Sequence, residues 1–231
     1  MLTVNALDHY YGQSHALRSV SIDVPAAACT CLMGRNGVGK TTLARCLMGL
    51  EIPRNGEMLF DQLALEKYPA EFRAANGIGY VPQGRQIFPL LTVEENIRTG
   101  FFSGNGSSSA IPPLIYELFP VLSQMKNRRG GDLSGGQQQQ LAIARALVIE
   151  PKLLILDEPA EGIQPSIVQE IADVIIMLSR ERNIAVLLIE QKLPFIRKVA
   201  DRFAIMERGS IAARGGMDEL SDELVNQYLV V

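Results

Sequence analysis

One stretch constrains this 231-residue chain more than any other: residues 34–42 read GRNGVGKTT. Gly34, Gly39, Lys40 and Thr41 fall in the required places of G-x-x-x-x-G-K-[ST]. The run before it, CTCLM at 29–33, has the character of a short buried strand, and TTLARCLMGL at 41–50 is apolar at helical spacing. A strand, a glycine loop and a helix in that order aim a helix N-terminus and many backbone N–H groups at one small volume, which suits phosphate oxygens. Side chains must keep clear of that volume, and this accounts for Gly34, Gly37 and Gly39. Arg35, Asn36, Val38 and Thr42 complete the same cradle. Lys40 is placed to reach β- and γ-phosphates, and the Thr41 hydroxyl to coordinate Mg²⁺.

A second stretch, LLILDE at 153–158, begins with four apolar residues, the pattern of a strand buried on both faces of a parallel sheet. Ligands of open α/β sheets bind at the carboxyl ends of strands, where Asp157 stands. Asp157 there can hold Mg²⁺ through water, and Glu158 can orient and polarise the water that attacks a γ-phosphate. Between the two stretches lies LSGGQ, Leu133, Ser134, Gly135, Gly136 and Gln137, opening a helical run expected over 134–149. A serine cap explains Ser134, but two glycines weaken a helix, so their amides read as a second anion-binding N-terminus. Gln138 to Gln140 need only the helix propensity of glutamine.

With these residues in hand, the chain resembles the ATP-binding subunits of ABC transporters over essentially its whole length. The finer resemblance is to the short ATPases of the branched-chain amino acid branch, and within it to the urea type. It rests on YYGQSHALRSVS, PQGRQIFPLLTVEENI, YELFPVLSQMKNRRGGDLSGGQQQQLAIARAL and LDEPAEGIQPSIV. The resemblance implies that Tyr11 stacks on adenine and that Gln83 links Mg²⁺ to the membrane subunits. It also implies that residues 133–137 grip the γ-phosphate of ATP held by a second cassette, so that the ATPase works by closing a dimer, by resemblance a heterodimer with a related subunit, with a homodimer in isolation as the alternative. Further implied partners are integral membrane permeases and, indirectly, a substrate-binding protein. The implied activity is ATP hydrolysis driving import, with urea as first solute and branched-chain amino acids as the alternative.

Two positions depart from the broad family pattern. A switch histidine usually follows the strand IAVLLIE, and here Gln191 follows Glu190. Gln191 can hydrogen-bond but cannot carry charge, and it is retained as a catalytic candidate. Gln164 stands where an aspartate is usual.

The organisation expected is one domain, 1–231, of the α/β P-loop NTPase (RecA-like) class in its ABC ATPase form. Alternating residues from 2 to about 30 suggest an N-terminal antiparallel β subdomain. A helical lobe is inserted at about 84–150, with helical stretches TVEENIRTG and PPLIYELFPVLSQMKNR flanking a Gly/Ser tract at 104–109 that reads as a surface loop. Cys29 and Cys31, two apart on one strand, read as reduced packing residues, as does Cys46. The net charge of −3 gives no bulk electrostatic reason to bind nucleic acid. No apolar run approaches the roughly 18 residues of a membrane span, so the expected place is the cytoplasmic face of the membrane, reached through a partner. Soluble ATPases of the superfamily usually carry two cassettes or long coiled coils. This chain has one copy of each motif and no heptad run.

Overall fold

In the computed structural model, which describes residues 1–103 and 110–229, the N-terminal alternation becomes a hairpin. Strand β1 (Leu2–Tyr11) pairs antiparallel with β2 (Ser14–Val24). The Gly/Ser tract at 104–109 lies outside the described residues. Strand β3 (Cys29–Met33) leads into helix α1 (Lys40–Met48), and β4 (Asn55–Phe60) and β5 (Leu63–Ala64) then join the hairpin in a four-stranded sheet ordered β2-β1-β4-β5.

Helix α2 (Ala70–Ala75) precedes β6 (Ile78–Val81), after which the chain leaves for the lobe. The lobe holds α3 (Val93–Thr99), α4 (Pro113–Leu118), α5 (Pro120–Gln124) and the start of α6 (Gly135–Leu147). The return runs β7 (Leu153–Asp157), α7 (Pro165–Arg180), β8 (Ala185–Ile189), α8 (Leu193–Val199), β9 (Arg202–Glu207), β10 (Ser210–Gly216) and α9 (Asp222–Tyr228).

The second sheet has the order β10-β9-β3-β8-β7-β6, parallel except for the edge strand β10. Its central strands are buried on both faces, as the unbroken apolar run of β7 demands. The pleat divides their side chains between two cores. Cys29, Cys31, Leu154, Leu156, Val186 and Leu188 face α6, α7 and α8. Leu32, Leu153, Ile155, Leu187 and Ile189 face α1 and the antiparallel sheet. Each such side chain, fully removed from water, contributes about 1.5–3 kcal/mol of transfer free energy. The three thiols are free and lie in these cores, where burial pushes them above the ordinary cysteine range.

Three expected helix bounds change for local reasons. The run expected over 41–50 ends at Met48, because Gly49 turns left-handed at φ 74 and sends its N–H back to the Arg45 and Cys46 carbonyls. The run expected over 134–149 is α6, with Ser134 as its N-cap rather than its first residue. The continuous helix expected from PPLIYELFPVLSQMKNR breaks into α4 and α5 at Pro120. Phe119, forced off the helical region before a proline, sits at φ −130, ψ 73. Among the described residues no helix is long and apolar enough to cross a membrane.

Candidate nucleotide and hydrolysis site

Four adjacent strands, β3, β8, β7 and β6, run parallel, so their carboxyl ends open on one edge of the sheet. Those ends deliver the 34–42 loop, Glu190 and Gln191, Asp157 and Glu158, and Gln83. Residues scattered over more than half the sequence thereby become neighbours.

In the phosphate loop the glycines serve two different needs. Gly37 adopts φ 78 with open space around it, so its backbone conformation alone calls for glycine. A Cβ at Gly34 would collide with the Met206 carbonyl of β9, and one at Gly39 would come within 2.9 Å of the Ala16 carbonyl of β2. The clearance expected for phosphate is thus also clearance for neighbouring strands. The Lys40 ammonium donates to the carbonyls of Gly34 at 2.7 Å and Arg35 at 2.9 Å. Burial pushes its pKa down, while Glu158, Asp157 and Glu190 pull it back up.

Asp157 is the most buried acid of the site, and neither of its carboxylate oxygens has a hydrogen-bond partner. Burial, with Glu158 and Glu161 adding to it, pushes its pKa up to about 6; the nearby Thr41 hydroxyl and Lys40 oppose that shift. The Thr41 hydroxyl is therefore close without making a bond of good geometry. Two bare, buried carboxylate oxygens with the Thr41 hydroxyl near them are oxygen donors of the type that hard Mg²⁺ selects, and the Gln83 amide, whose Nε2 lies on Glu158 and Glu161, keeps its oxygen free of those acids. Thr41, Asp157 and Gln83 fit that ion. Among the described residues no cluster of three or more His, Cys, Asp or Glu is poised for a metal.

Glu158 begins a tight turn in a left-handed backbone conformation, φ 50, with its N–H held by the Ile189 carbonyl at 2.9 Å. Its carboxylate lies between two glutamine amides. Gln191 Nε2 donates to Glu158 Oε1 at 2.7 Å and to Asn36 Oδ1 of the phosphate loop at 2.6 Å. Gln83 Nε2 donates to Glu158 Oε2 at 3.2 Å and to Glu161 Oε2 at 3.0 Å. Both oxygens of the candidate general base are thus oriented by neutral donors. The residue in the histidine position touches the acid and the phosphate loop together.

Tyr11 ends β1 and is 46% exposed, enough for a flat ligand to reach it, and its ring meets His9 edge-on at 4.6 Å. The signature residues open α6 through a capping box: Gln137 N donates to Ser134 Oγ at 3.4 Å, and Ser134 N to Gln137 Oε1 at 3.0 Å. Leu133 is buried and packs in the core, and a Cβ at Gly136 would press on Ile167 at 3.0 Å. Of the glutamine run Gln138 to Gln140, read as plain helix formers, Gln138 and Gln140 do more. Gln138 Nε2 donates to the Gly130 carbonyl at 3.3 Å, and Gln140 Nε2 reaches Glu170 at 2.7 Å.

Sequence reasoning missed four residues. Glu190, buried at the end of β8, accepts the N–H groups of Gln191, Lys192 and Ala160 and so braces the Gln191 and Glu158 turns against each other. An acid closing an apolar strand was its visible signal, the same as for Asp157. Arg145 of α6 donates to the carbonyls of Arg85 and Gln86, holding the loop that carries Gln83. Arg85 and Glu161 gave no local signal.

A family model described as ABC transporter matches residues 17–161. The branched-chain amino acid transport ATP-binding protein BraG of Pseudomonas aeruginosa is 40% identical, with 91% of each chain covered. LivG of Salmonella typhimurium, of the same description, is 31% identical over 99% of this chain and 97% of its own. Among solved structures, a nucleotide-free ATP-binding cassette from an ABC transporter superposes with a TM-score of 0.85 at 26% identity, covering 98% of this chain and 94% of the other. A cassette solved as a dimer with ADP and Pi after hydrolysis shares the fold at a TM-score of 0.84 and 23% identity, with 94% and 99% covered.

Proposed function

Since this chain belongs to the ABC transporter family as an ATP-binding subunit, we propose that it powers solute import by closing on, and reopening from, a second cassette as it hydrolyses ATP. The observation that carries the catalytic part is Glu158, fixed by Gln83 and Gln191 beside the bare Asp157 carboxylate and the phosphate loop.

ATP lies with adenine on Tyr11 and its phosphates in the 34–42 loop. Lys40 exchanges its two carbonyl contacts for β- and γ-phosphate oxygens, an exchange eased by the partial burial that already disfavours its free charge. Mg²⁺, when bound, neutralises charge on the β- and γ-phosphates, and Thr41, Asp157 and Gln83 would hold it. Residues 133–137 of the partner cassette close the site with the N-terminus of their helix. Glu158 accepts the proton of the attacking water, and Gln191 keeps the carboxylate aimed while spanning to Asn36. Phosphoryl transfer asks mainly for this positioning and charge neutralisation.

The motion reaches a permease through the groove of about 380 Å³ where the Gln83 loop meets the lobe, lined by Leu50, Tyr80, Phe88, Gly100 and Arg145 among others. Leu50 and Phe88 are half exposed there, supporting a site for an apolar segment of a partner. For the solute, the relatives' names favour branched-chain amino acids over the urea expected from the sequence runs, and the former is our reading. Uptake of labelled leucine and labelled urea by cells lacking this chain separates the two: leucine uptake falls and urea uptake does not.

The catalytic reading is tested by Glu158→Gln, which keeps shape but removes the charge that takes the proton. Hydrolysis should drop by orders of magnitude, ATP binding should persist, and a closed dimer should accumulate with its partners. Near-parental turnover in that variant places the base elsewhere.

A further inference from the structure

We propose that Glu161 is a positioning residue of the hydrolytic site, deciding which end of the Gln83 amide faces Glu158. This rests on the reading of Gln83 and Glu158 given above.

An amide side chain has two ends of nearly equal shape and opposite hydrogen-bonding character, so its orientation must be imposed by neighbours. An ionised carboxylate only accepts, and Gln83 meets two of them. The contact to Glu161, at 3.0 Å, is shorter than the 3.2 Å contact to Glu158. Together the two acids take up both N–H groups of the amide. The carbonyl oxygen, the one atom of the side chain able to ligate a cation, is then the end not spent on the acids.

The backbone sets up this pairing. Glu158 lies at φ 50, and the Glu161 N–H closes the turn on the Glu158 carbonyl at 3.1 Å. The turn thus lets two acids three residues apart reach the same amide. A second tie comes from the Gln83 loop itself, where Arg85 Nη2 donates to the Glu161 carbonyl at 3.4 Å. Arg85 and Gln86 are also left-handed, at φ 68 and 46, and Arg145 grips both of their carbonyls. Backbone strain on both sides of one contact persists only where surrounding bonds over-determine it, and it concentrates at functional sites. Glu161 is the side chain through which one strained turn sets the aim of the other.

The test uses the full chain with its transporter partners, and also the purified chain with a fluorescent ATP analogue titrated with and without Mg²⁺. Glu161→Ala should lower kcat about tenfold, the loss of one charge-assisted hydrogen bond, with little change in KM for ATP. Metal-free binding of the analogue should stay within about twofold of the parent, while the Mg²⁺ needed for half-maximal binding rises. Glu161→Gln keeps an acceptor oxygen at the same reach and should restore most of kcat. In a Gln83→Ala background, Glu161→Ala should add nothing, because its effect passes through Gln83. Parental kcat and Mg²⁺ dependence in Glu161→Ala overturn the proposal. So does equal impairment of the alanine and glutamine variants, or additivity with Gln83→Ala. Parental turnover of Gln83→Ala alone overturns it from a different side, by removing the role of Gln83.

Discussion

Gln191 offers the sharpest measurement on this protein. Its amide donates to Glu158 Oε1 at 2.7 Å and to Asn36 Oδ1 at 2.6 Å. In Gln191→Ala the first bond, to a carboxylate, is lost; bonds to charged groups contribute about 1.5–3 kcal/mol net. The second, between neutral groups, contributes about 1 kcal/mol and matters mainly for how the phosphate loop rests against β8. If only the first acts on the reaction, each 1.36 kcal/mol is a factor of ten, so kcat should fall about 10- to 100-fold. KM for ATP should change by less than about fivefold, the worth of the Asn36 bond. The assay is steady-state ATP turnover by the assembled transporter across a range of ATP and pH. Gln191→His also presents an N–H donor and should keep turnover within an order of magnitude of the parent. It should add a pH-dependent step near the ordinary histidine range, about 6.5, that the parent lacks. Unchanged kcat in Gln191→Ala refutes the argument that Glu158 needs this amide. A raised KM at unchanged kcat instead assigns Gln191 to nucleotide binding alone.

Lys40→Ala removes the compact charge that meets the β- and γ-phosphates, and a fluorescent ATP analogue should no longer bind measurably; parental affinity contradicts that role. Asp157 must be ionised to hold Mg²⁺, and burial raises its folded pKa to about 6, above the ordinary aspartate value of 3.8. The sign follows: as pH falls through about 6 the proton competes, and apparent Mg²⁺-ATP affinity should drop toward tenfold per unit below that point. The same shift means that, without metal, the stability Asp157 contributes is present at low pH and lost as pH rises from 3.8 through about 6, which melting curves with and without Mg²⁺-ATP can separate. At Gly100, whose added Cβ would collide with the Arg145 carbonyl of α6, alanine should cost about 1–3 kcal/mol, read as a lowered denaturation midpoint; an unchanged midpoint means α3 and α6 can separate freely.

Much of the site was legible in the sequence because its chemistry is local. Residues 29 to 50 carry the pattern of a strand, a glycine loop and a helix in their own sequence, and the apolar run before Asp157 reads as a strand with an acid at its carboxyl end. Ser134 and Gln137, three residues apart, form their capping box within one helical turn. The break of the lobe helix at Pro120 was equally local and could have been read from that proline. Tertiary structure decided which strand ends became neighbours, since the order β3-β8-β7-β6 is set by crossovers and not by periodicity. Gln191 reaches Glu158 across 33 residues and Asn36 across 155, and Gln83 reaches Glu158 across 75. Side chains so far apart carry no local pattern that announces their pairing, so Glu161 and Arg85 looked like ordinary loop residues. Even the reason for Gly34 and Gly39 was half hidden. Phosphate needs the clearance, but the Met206 and Ala16 carbonyls of distant strands need it as well, and only packing brings those atoms there.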